Sequence, residues 1–136
     1  MGNSGKTILL DTNFLLIPSQ FKVDIFAELD RVCDFQHTAA VMDSTVAELK
    51  SLSADAGKSL KDRRGAKMAL QLLEAGQVAV IKSRKVFKSA DKAILEFASA
   101  NKDVMVATQD RELKRRLKAL GVSVAVLRQK SHIVID

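Results

Sequence analysis

The sequence predicts a three-layer α/β/α domain built around a mostly parallel sheet of about five strands. Short apolar runs, typical of buried strands, alternate with longer segments whose apolar residues recur every three or four positions, as in amphipathic helices. Strands joined through helices in this order pair in parallel, with right-handed crossovers and helices on both faces. At 136 residues, with no repeat or linker, the chain fits a single domain with its own core.

The first half of the chain predicts two strands, each followed by a helix. The strands are short apolar runs that end in polar residues, and the helices carry apolar residues at three- and four-residue intervals. Proline and small polar residues mark the helix starts, where they are common. The predicted elements are a strand over residues 8–10, a helix from Pro18 to Cys33, a strand over residues 38–42 and a helix over residues 45–52.

The second half predicts three further helices and three further strands. A charged segment leads into the first of these helices, and Gly76 and Gly121 end two of them, because glycine adopts the left-handed conformation that closes a helix. The tail, residues 128–136, either extends the sheet or pairs with another chain. The predicted elements are a helix ending at Gly76, a strand over residues 78–81, a helix over 90–98 capped by Ser89, a strand over 104–107, a helix over 111–120 and a strand over 122–127.

Composition and charge indicate a soluble protein with a polyanionic partner. The formal net charge is +6 and the isoelectric point is near 9.6. No apolar run is long enough to cross a bilayer, and the short N-terminal run, which ends in an acid, does not fit a signal peptide. The single cysteine, Cys33, favours the reducing cytoplasm, and its place in an apolar stripe predicts a core residue rather than a nucleophile.

Four acidic residues are predicted to reach one edge of the sheet. Each follows a strand or begins a helix, and the four are Asp11, Glu48, Asp91 and Asp110. The carboxyl ends of parallel strands share an edge, so these side chains can line one pocket. Taken singly, each acid is explained about equally well as a helix cap or a turn residue. Together, crowded carboxylates require cations, and oxygen-only ligands suit Mg²⁺ or Mn²⁺ rather than zinc.

The acids lie in four short motifs that resemble those of the PIN-domain nucleases, in order and over nearly the whole chain. The motifs are Leu10-Asp11-Thr12-Asn13, Val46-Ala47-Glu48-Leu49, Ala90-Asp91 with Ala93-Ile94, and Thr108-Gln109-Asp110 with Glu112-Leu113. Within the family, the sequence is most similar to the archaeal and eukaryotic branch that processes small-subunit ribosomal RNA, and VapC-type toxins come second. The residues that favour this branch are Asp110-Arg111-Glu112-Leu113, Gly121-Val122 and Leu127-Arg128-Gln129-Lys130.

The resemblance implies one PIN-like domain over residues 1–136 that acts as an endoribonuclease dependent on Mg²⁺ or Mn²⁺. On this hypothesis Asp11, Glu48 and Asp91 hold a metal ion directly or through water, and the fourth acid, Asp110, supports a second ion. The hydrogen-bonding side chains of Asn13 and Thr108 would orient the ligands or the substrate. Lys92 stands where this branch often carries another acid, so the number of ions, one or two, stays open.

RNA binding is predicted to rest on cations more than on aromatic stacking. The chain has no Trp or Tyr, and its six Phe lie mostly in apolar runs. Any one of its basic helix residues, taken alone, is better explained as part of a solvated surface. As a group they predict binding that weakens steeply with salt, and they are Arg63, Arg64, Lys67, Arg111, Lys114, Arg115 and Lys118.

Other functions and partners stay open at this point. A toxin would pair with an antitoxin, a processing enzyme would meet ribosome-assembly partners, and homodimers are common among similar proteins. A non-catalytic RNA-binding scaffold would keep the basic surface without needing Asp11. A haloacid dehalogenase relative would use Asp11 as a nucleophile, but that family carries a second Asp where this chain has Asn13.

Overall fold

A single six-stranded sheet forms the centre of the protein. The structure is a computed structural model that describes residues 5–84, 86–87 and 89–136, with the backbone alone at residues 76 and 77. The strands in this part of the chain are β1 (Lys6–Leu10), β2 (His37–Met42), β3 (Ala79–Ile81), β4 (Val104–Ala107), β5 (Ser123–Arg128) and β6 (His132–Ile135). Their order is β3-β2-β1-β4-β5-β6, and all neighbours pair in parallel except β5 and β6.

Helices cover both faces of this sheet. Side chains alternate along the strands, so that Ile8 and Leu10 enter one core while Leu9 enters the other. The first five helices pack against the first core and the last two against the second, which confirms the predicted three layers. The helices are α1 (Thr12–Leu15), α2 (Ile17–Phe21), α3 (Ile25–Val32), α4 (Asp43–Ala54), α5 (Leu60–Leu72), α6 (Ala90–Ala100) and α7 (Arg111–Ala119).

The predicted fold of about five strands is confirmed, and the tail adds a sixth strand to the sheet. Of the two alternatives for residues 128–136, extension of the sheet or pairing with another chain, the structure shows the first. The tail folds back as β6 and pairs antiparallel with β5, with Ile133 opposite Leu127. Two side chains of α3 hold this last strand from its outer side. Glu28 accepts a hydrogen bond from the N–H of Ile133 at 2.9 Å, and Arg31 donates to its carbonyl at 3.0 Å.

We expect Glu28→Ala to lower the free energy of unfolding by about 1–2 kcal/mol, because it leaves the Ile133 N–H without its acceptor. Glu28→Gln is the matched control, since its amide oxygen can still accept that bond and only the ion pair with Arg31 is lost. Urea unfolding of the three proteins measures the difference. Equal losses in both variants would contradict a role for the bond to β6.

Two helix boundaries also differ from prediction. The single helix expected from Pro18 to Cys33 is two helices, because Lys22 takes a left-handed conformation with φ 56° and Asp24 begins α3 as its cap. The helix expected to reach Gly76 ends at Leu72 and continues as a π-helical turn. Cys33 is buried as predicted, and burial raises the pKa of its thiol. None of the helices in the described residues is both long and apolar enough to cross a membrane.

The parallel register places the carboxyl ends of four strands at one edge. Leu10 pairs with Ala107 across β1 and β4, and Met42 pairs with Ile81 across β2 and β3. The residues that follow these strand ends therefore come together on that side of the sheet, where parallel sheets commonly bind ligands.

Candidate active site

Asp11 is a buried carboxylate at the end of β1, with 2% of its surface exposed. Its Oδ1 accepts a hydrogen bond from the N–H of Thr12 at 2.8 Å, and its Oδ2 accepts one from the hydroxyl of Thr108 at 2.7 Å. Burial raises the pKa of Asp11 to about 6; the two hydrogen bonds oppose this shift, and the charges of Asp91 and Glu48 add to it. The protein thus compensates the charge of Asp11 only in part.

Thr108 ties the ends of β1 and β4 together. Its side chain is fully buried, and the hydroxyl that donates to Asp11 also accepts a hydrogen bond from the N–H of Asp110 at 3.0 Å. The neighbouring Gln109 N–H donates to Oδ1 of Asn13 at 2.9 Å. Thr108 and Asn13 together hold the start of the β4–α7 connection against the first acid.

Glu48 lies one turn into α4 and connects two other elements of the site. Its Oε1 accepts a hydrogen bond from the Thr12 hydroxyl at 2.8 Å, and its Oε2 accepts one from the N–H of Ala90 at 3.2 Å. Thr12 is the residue after Asp11, and Ala90 is the residue before Asp91. Hydrogen bonds therefore connect the carboxylate of the exposed Glu48 to the chain neighbours of Asp11 and Asp91.

Asp91 and Asp110 begin helices on the second face of the sheet. Asp91 lies in the first turn of α6, which Ser89 caps, and Asp110 caps α7 by accepting a hydrogen bond from the N–H of Leu113 at 3.0 Å. Partial burial raises the pKa of Asp91, and the nearby charges of Asp110 and Glu48 raise it further. The charges of Glu48 and Asp110 thus act on Asp91, and those of Asp91 and Glu48 act on Asp11, which brings the four acids into one site.

The chemistry of these residues fits a hard divalent cation. Their donors are carboxylate oxygens. Burial, and to a lesser extent neighbouring carboxylates, raises the pKa values of Asp11 and Asp91, and a cation would stabilise their ionised forms. Hydrogen bonds already occupy several of these oxygens, notably those of Glu48 and Asp110. Among the described side chains, no three His, Cys, Asp or Glu are already arranged to hold a metal ion. The site has suitable donors without a preformed cage.

The sequence matches the family described as "PIN like domain" over residues 8–130. This match spans most of the chain and includes all four acids. The chain belongs to this family. The predicted resemblance to PIN domains is therefore confirmed.

Two curated relatives and one solved structure are similar to this PIN domain. Ribonuclease VapC4 of Methanocaldococcus jannaschii is 31% identical over 132 residues, which cover 94% of this chain and 95% of the relative. Ribonuclease VapC9 of Archaeoglobus fulgidus is 26% identical over 135 residues, which cover 98% of this chain and 92% of the relative. The PIN domain endonuclease Utp24 aligns with a TM-score of 0.81 at 23% identity, over 96% of this chain and 90% of that one, and supports the fold.

The sequence-predicted RNA-binding cations lie in different surroundings. On α7, Lys114 and Lys118 both form ion pairs with Asp136, and Arg115 pairs with Glu112. The other four take no part in the ion pairs found among the described residues. Three of these are exposed and Arg63 is partly buried, and the four are Arg63, Arg64, Lys67 and Arg111.

Two polar contacts of the site were not predicted. Thr12 bridges to Glu48, and Gln109 accepts a hydrogen bond from the N–H of Leu127 at 2.7 Å, which joins the loop after β4 to β5. Thr12 and Gln109 both lie inside the acidic motifs, and this position was the only feature of the sequence that could have indicated a role in the site. Their partners are 36 and 18 residues away in sequence.

Proposed function

We propose that this PIN domain is an endoribonuclease that hydrolyses RNA phosphodiester bonds with the help of Mg²⁺ or Mn²⁺. The observation that carries the proposal is the buried Asp11 at the sheet edge. Burial raises its pKa to about 6, and the charges of Asp91 and Glu48 add to this shift. Carboxylates with perturbed pKa values at a sheet edge are typical of sites that bind metal or move protons. The two relatives named as ribonucleases support RNA as the substrate.

In this proposal Asp11, Glu48 and Asp91 hold the metal ion, and Asp110 supports a second one. When bound, the divalent ion supplies positive charge that acidifies an attacking water and stabilises the charge that develops on the phosphate. The protein's own contribution is positioning, because Thr108 fixes Asp11 through a 2.7 Å hydrogen bond. Burial raises the pKa of Asp11 to about 6 in the protein alone, and a bound cation would offset the cost of this buried negative charge.

Cleavage of single-stranded RNA and of a ribosomal RNA precursor, with Mg²⁺, Mn²⁺ or EDTA, tests this activity. We expect Asp91→Asn to lower the cleavage rate on the order of 10²-fold, since it removes one of the interacting carboxylates. Asp34→Asn is the matched control, because this exposed acid lies before β2, at the opposite edge of the sheet. Cleavage that survives EDTA, or an Asp91→Asn variant as active as the control, would contradict the proposal.

Two cellular roles are compatible with this chemistry, and the choice of RNA separates them. We propose processing of ribosomal RNA as the first, supported by the sequence features of α7 and the segments that follow it. A VapC-type toxin is the second candidate, because the relative at 31% identity carries that name. Preference for the structured precursor supports processing, whereas preference for unrelated single-stranded RNA supports a toxin. Tight binding without cleavage would instead support a non-catalytic RNA-binding assembly factor.

A further inference from the structure

A cleft of about 420 Å³ lies next to the acidic edge, between the start of α4 and the segment that follows β3. On α4 it is lined by Asp43 and Ala47, and Ala47 immediately precedes Glu48. On the opposite wall it reaches Phe87, three residues before the Ala90 whose N–H binds Glu48. The cleft therefore shares α4 and the segment before α6 with the candidate active site.

Carboxylates of α4 fasten the second wall of this cleft at both ends. Asp43 accepts hydrogen bonds from the hydroxyl of Ser83 at 2.7 Å and from its N–H at 3.2 Å, while Glu48 accepts from Ala90 at the far end. The hydrogen bonds from Ser83 hold the pKa of Asp43 below its usual range, so Asp43 stays ionised. Hydrogen bonds to α4 thus fix both ends of the second wall of the cleft.

Two exposed cations lie in the lining of the cleft together with the ionised Asp43. These cations are Lys82 and Arg84, and neither takes part in the ion pairs found among the described residues. The described residues of this wall, 82–84 and 86–87, include two cations and no acid. On α7, by contrast, Lys114 and Lys118 are already paired with Asp136.

The lining of the cleft also offers apolar contacts beside these cations. Val86 is 99% exposed, Ala47 is exposed, and Phe87 is partly buried in the wall. Apolar and aromatic side chains next to exposed cations suit a single nucleic-acid strand, whose bases have free faces and whose phosphates are charged. A duplex hides its base faces, and an acidic peptide would use only the cations.

We propose that this cleft binds one unpaired nucleobase of the RNA strand close to the cleaved bond, while Lys82 and Arg84 contact the adjoining phosphates. The inference rests on the proposed endoribonuclease function and adds the substrate-binding surface that brings a single strand to the acids. It assigns phosphate binding to cations beyond those of α5 and α7.

The salt dependence of binding tests the phosphate contacts. A fluorescent 12-nucleotide single-stranded RNA is titrated with protein in EDTA, so that it is not cleaved, at several salt concentrations. For Lys82→Gln with Arg84→Gln we expect about tenfold weaker binding at 0.1 M salt and a slope of log Kd against log salt reduced by about 1.4, which is about 0.7 for each lost contact. Unchanged slope in this double variant would overturn the proposal.

The matched control is Lys6→Gln with Lys102→Gln, which removes the same charge at the amino ends of β1 and β4. An equal loss of slope in the control would assign the effect to net charge and also overturn the proposal. Both double variants should melt within a few degrees of wild type, since the four substituted residues are outside the buried core. Competition by an oligoglutamate peptide, with RNA binding unaffected by Lys82→Gln and Arg84→Gln, would reassign the cleft to an acidic protein segment.

Filling the cleft tests the nucleobase separately from the phosphates. Ala47→Leu adds apolar volume at the lining without changing charge, and we expect about tenfold weaker binding of the single strand with an unchanged salt slope. Binding of the same sequence as a duplex should not change. If Ala47→Leu binds the single strand as wild type does, the base-binding assignment is wrong.

The binding measurements and the cleavage assay test the two proposals separately. Loss of slope in the Lys82 and Arg84 double variant, together with no metal-dependent cleavage by wild type, would overturn the endoribonuclease proposal and keep the RNA-binding cleft. Normal cleavage by the double variant with an unchanged KM would overturn the RNA-binding cleft and keep the endoribonuclease proposal.

Discussion

Asp11→Asn is expected to unfold at a higher denaturant concentration than wild type in EDTA at pH 7.5, and to have lost RNA cleavage on the order of 10³-fold. Ionised Asp11 is costly to the fold, because burial raises its pKa from 3.8 to about 6. A shift of about 2 units corresponds to about 3 kcal/mol. The amide retains an oxygen for the Thr12 N–H but fits the Thr108 hydroxyl less well, so the net gain is about 1–3 kcal/mol.

This stability difference should depend on pH with a defined sign. Between pH 3.8 and about 6 the folded protein binds more protons at Asp11 than the unfolded chain does. Stability from this group is therefore fully present below pH 3.8 and is lost as the pH rises through about 6. The advantage of Asp11→Asn should accordingly grow across this window and vanish at its acidic end. Urea unfolding between pH 4 and pH 8 measures it.

Added Mg²⁺ or Mn²⁺ should reverse the ranking, because a cation that binds the folded state stabilises wild type and not the variant that lacks the carboxylate. Asp34→Asn again serves as the control and should show neither the pH-dependent gain nor the loss of the metal response. An Asp11→Asn protein that is less stable than wild type at pH 7.5 would show that the charge of Asp11 is well compensated.

Thr108→Val is expected to lower the free energy of unfolding by about 2 kcal/mol and cleavage by about 10–100-fold. Valine keeps the volume of the buried side chain but removes the hydroxyl that donates to Asp11 and accepts from the Asp110 N–H. The pKa of Asp11 should rise further, because the Thr108 hydrogen bond opposes its upward shift.

Thr108→Ser separates the hydroxyl from the methyl group. It keeps both hydrogen bonds and should restore most of the cleavage, although it leaves a methyl-sized gap that costs about 1 kcal/mol. The optimum pH of cleavage should move upward in Thr108→Val and stay near wild type in Thr108→Ser. Full activity in Thr108→Val would contradict a positioning role for the hydroxyl.

The main outline of the fold and the set of acids could be predicted because they depend on local pattern and on one geometric rule. Alternating strands and helices implied a parallel sheet, and the carboxyl ends of its strands carry Asp11 and Thr108 on the same edge. The structure adds the order of the strands, which the local pattern did not specify.

Contacts between distant segments could not be predicted from local pattern. The pairing of Lys114 and Lys118 with Asp136 depends on β6, and β6 in turn depends on Glu28 and Arg31, which are about a hundred residues earlier in the chain. The bridge from Glu48 to Thr12 and Ala90 likewise requires the packing of three helices. Such contacts depend on tertiary structure. The local sequence around a cation is the same whether the side chain is solvated or paired with a distant acid.

The attachment of β6 to α3 also affects how the protein behaves at high concentration. An outer strand with free N–H and C=O groups can recruit the strand of another molecule and start edge-to-edge aggregation. At Ile133 the outward-facing N–H and C=O are both occupied by Glu28 and Arg31. A strand of another molecule could therefore pair with β6 at Ile133 only by displacing these two side chains, so the contact that fixes the last strand also opposes edge-to-edge association there.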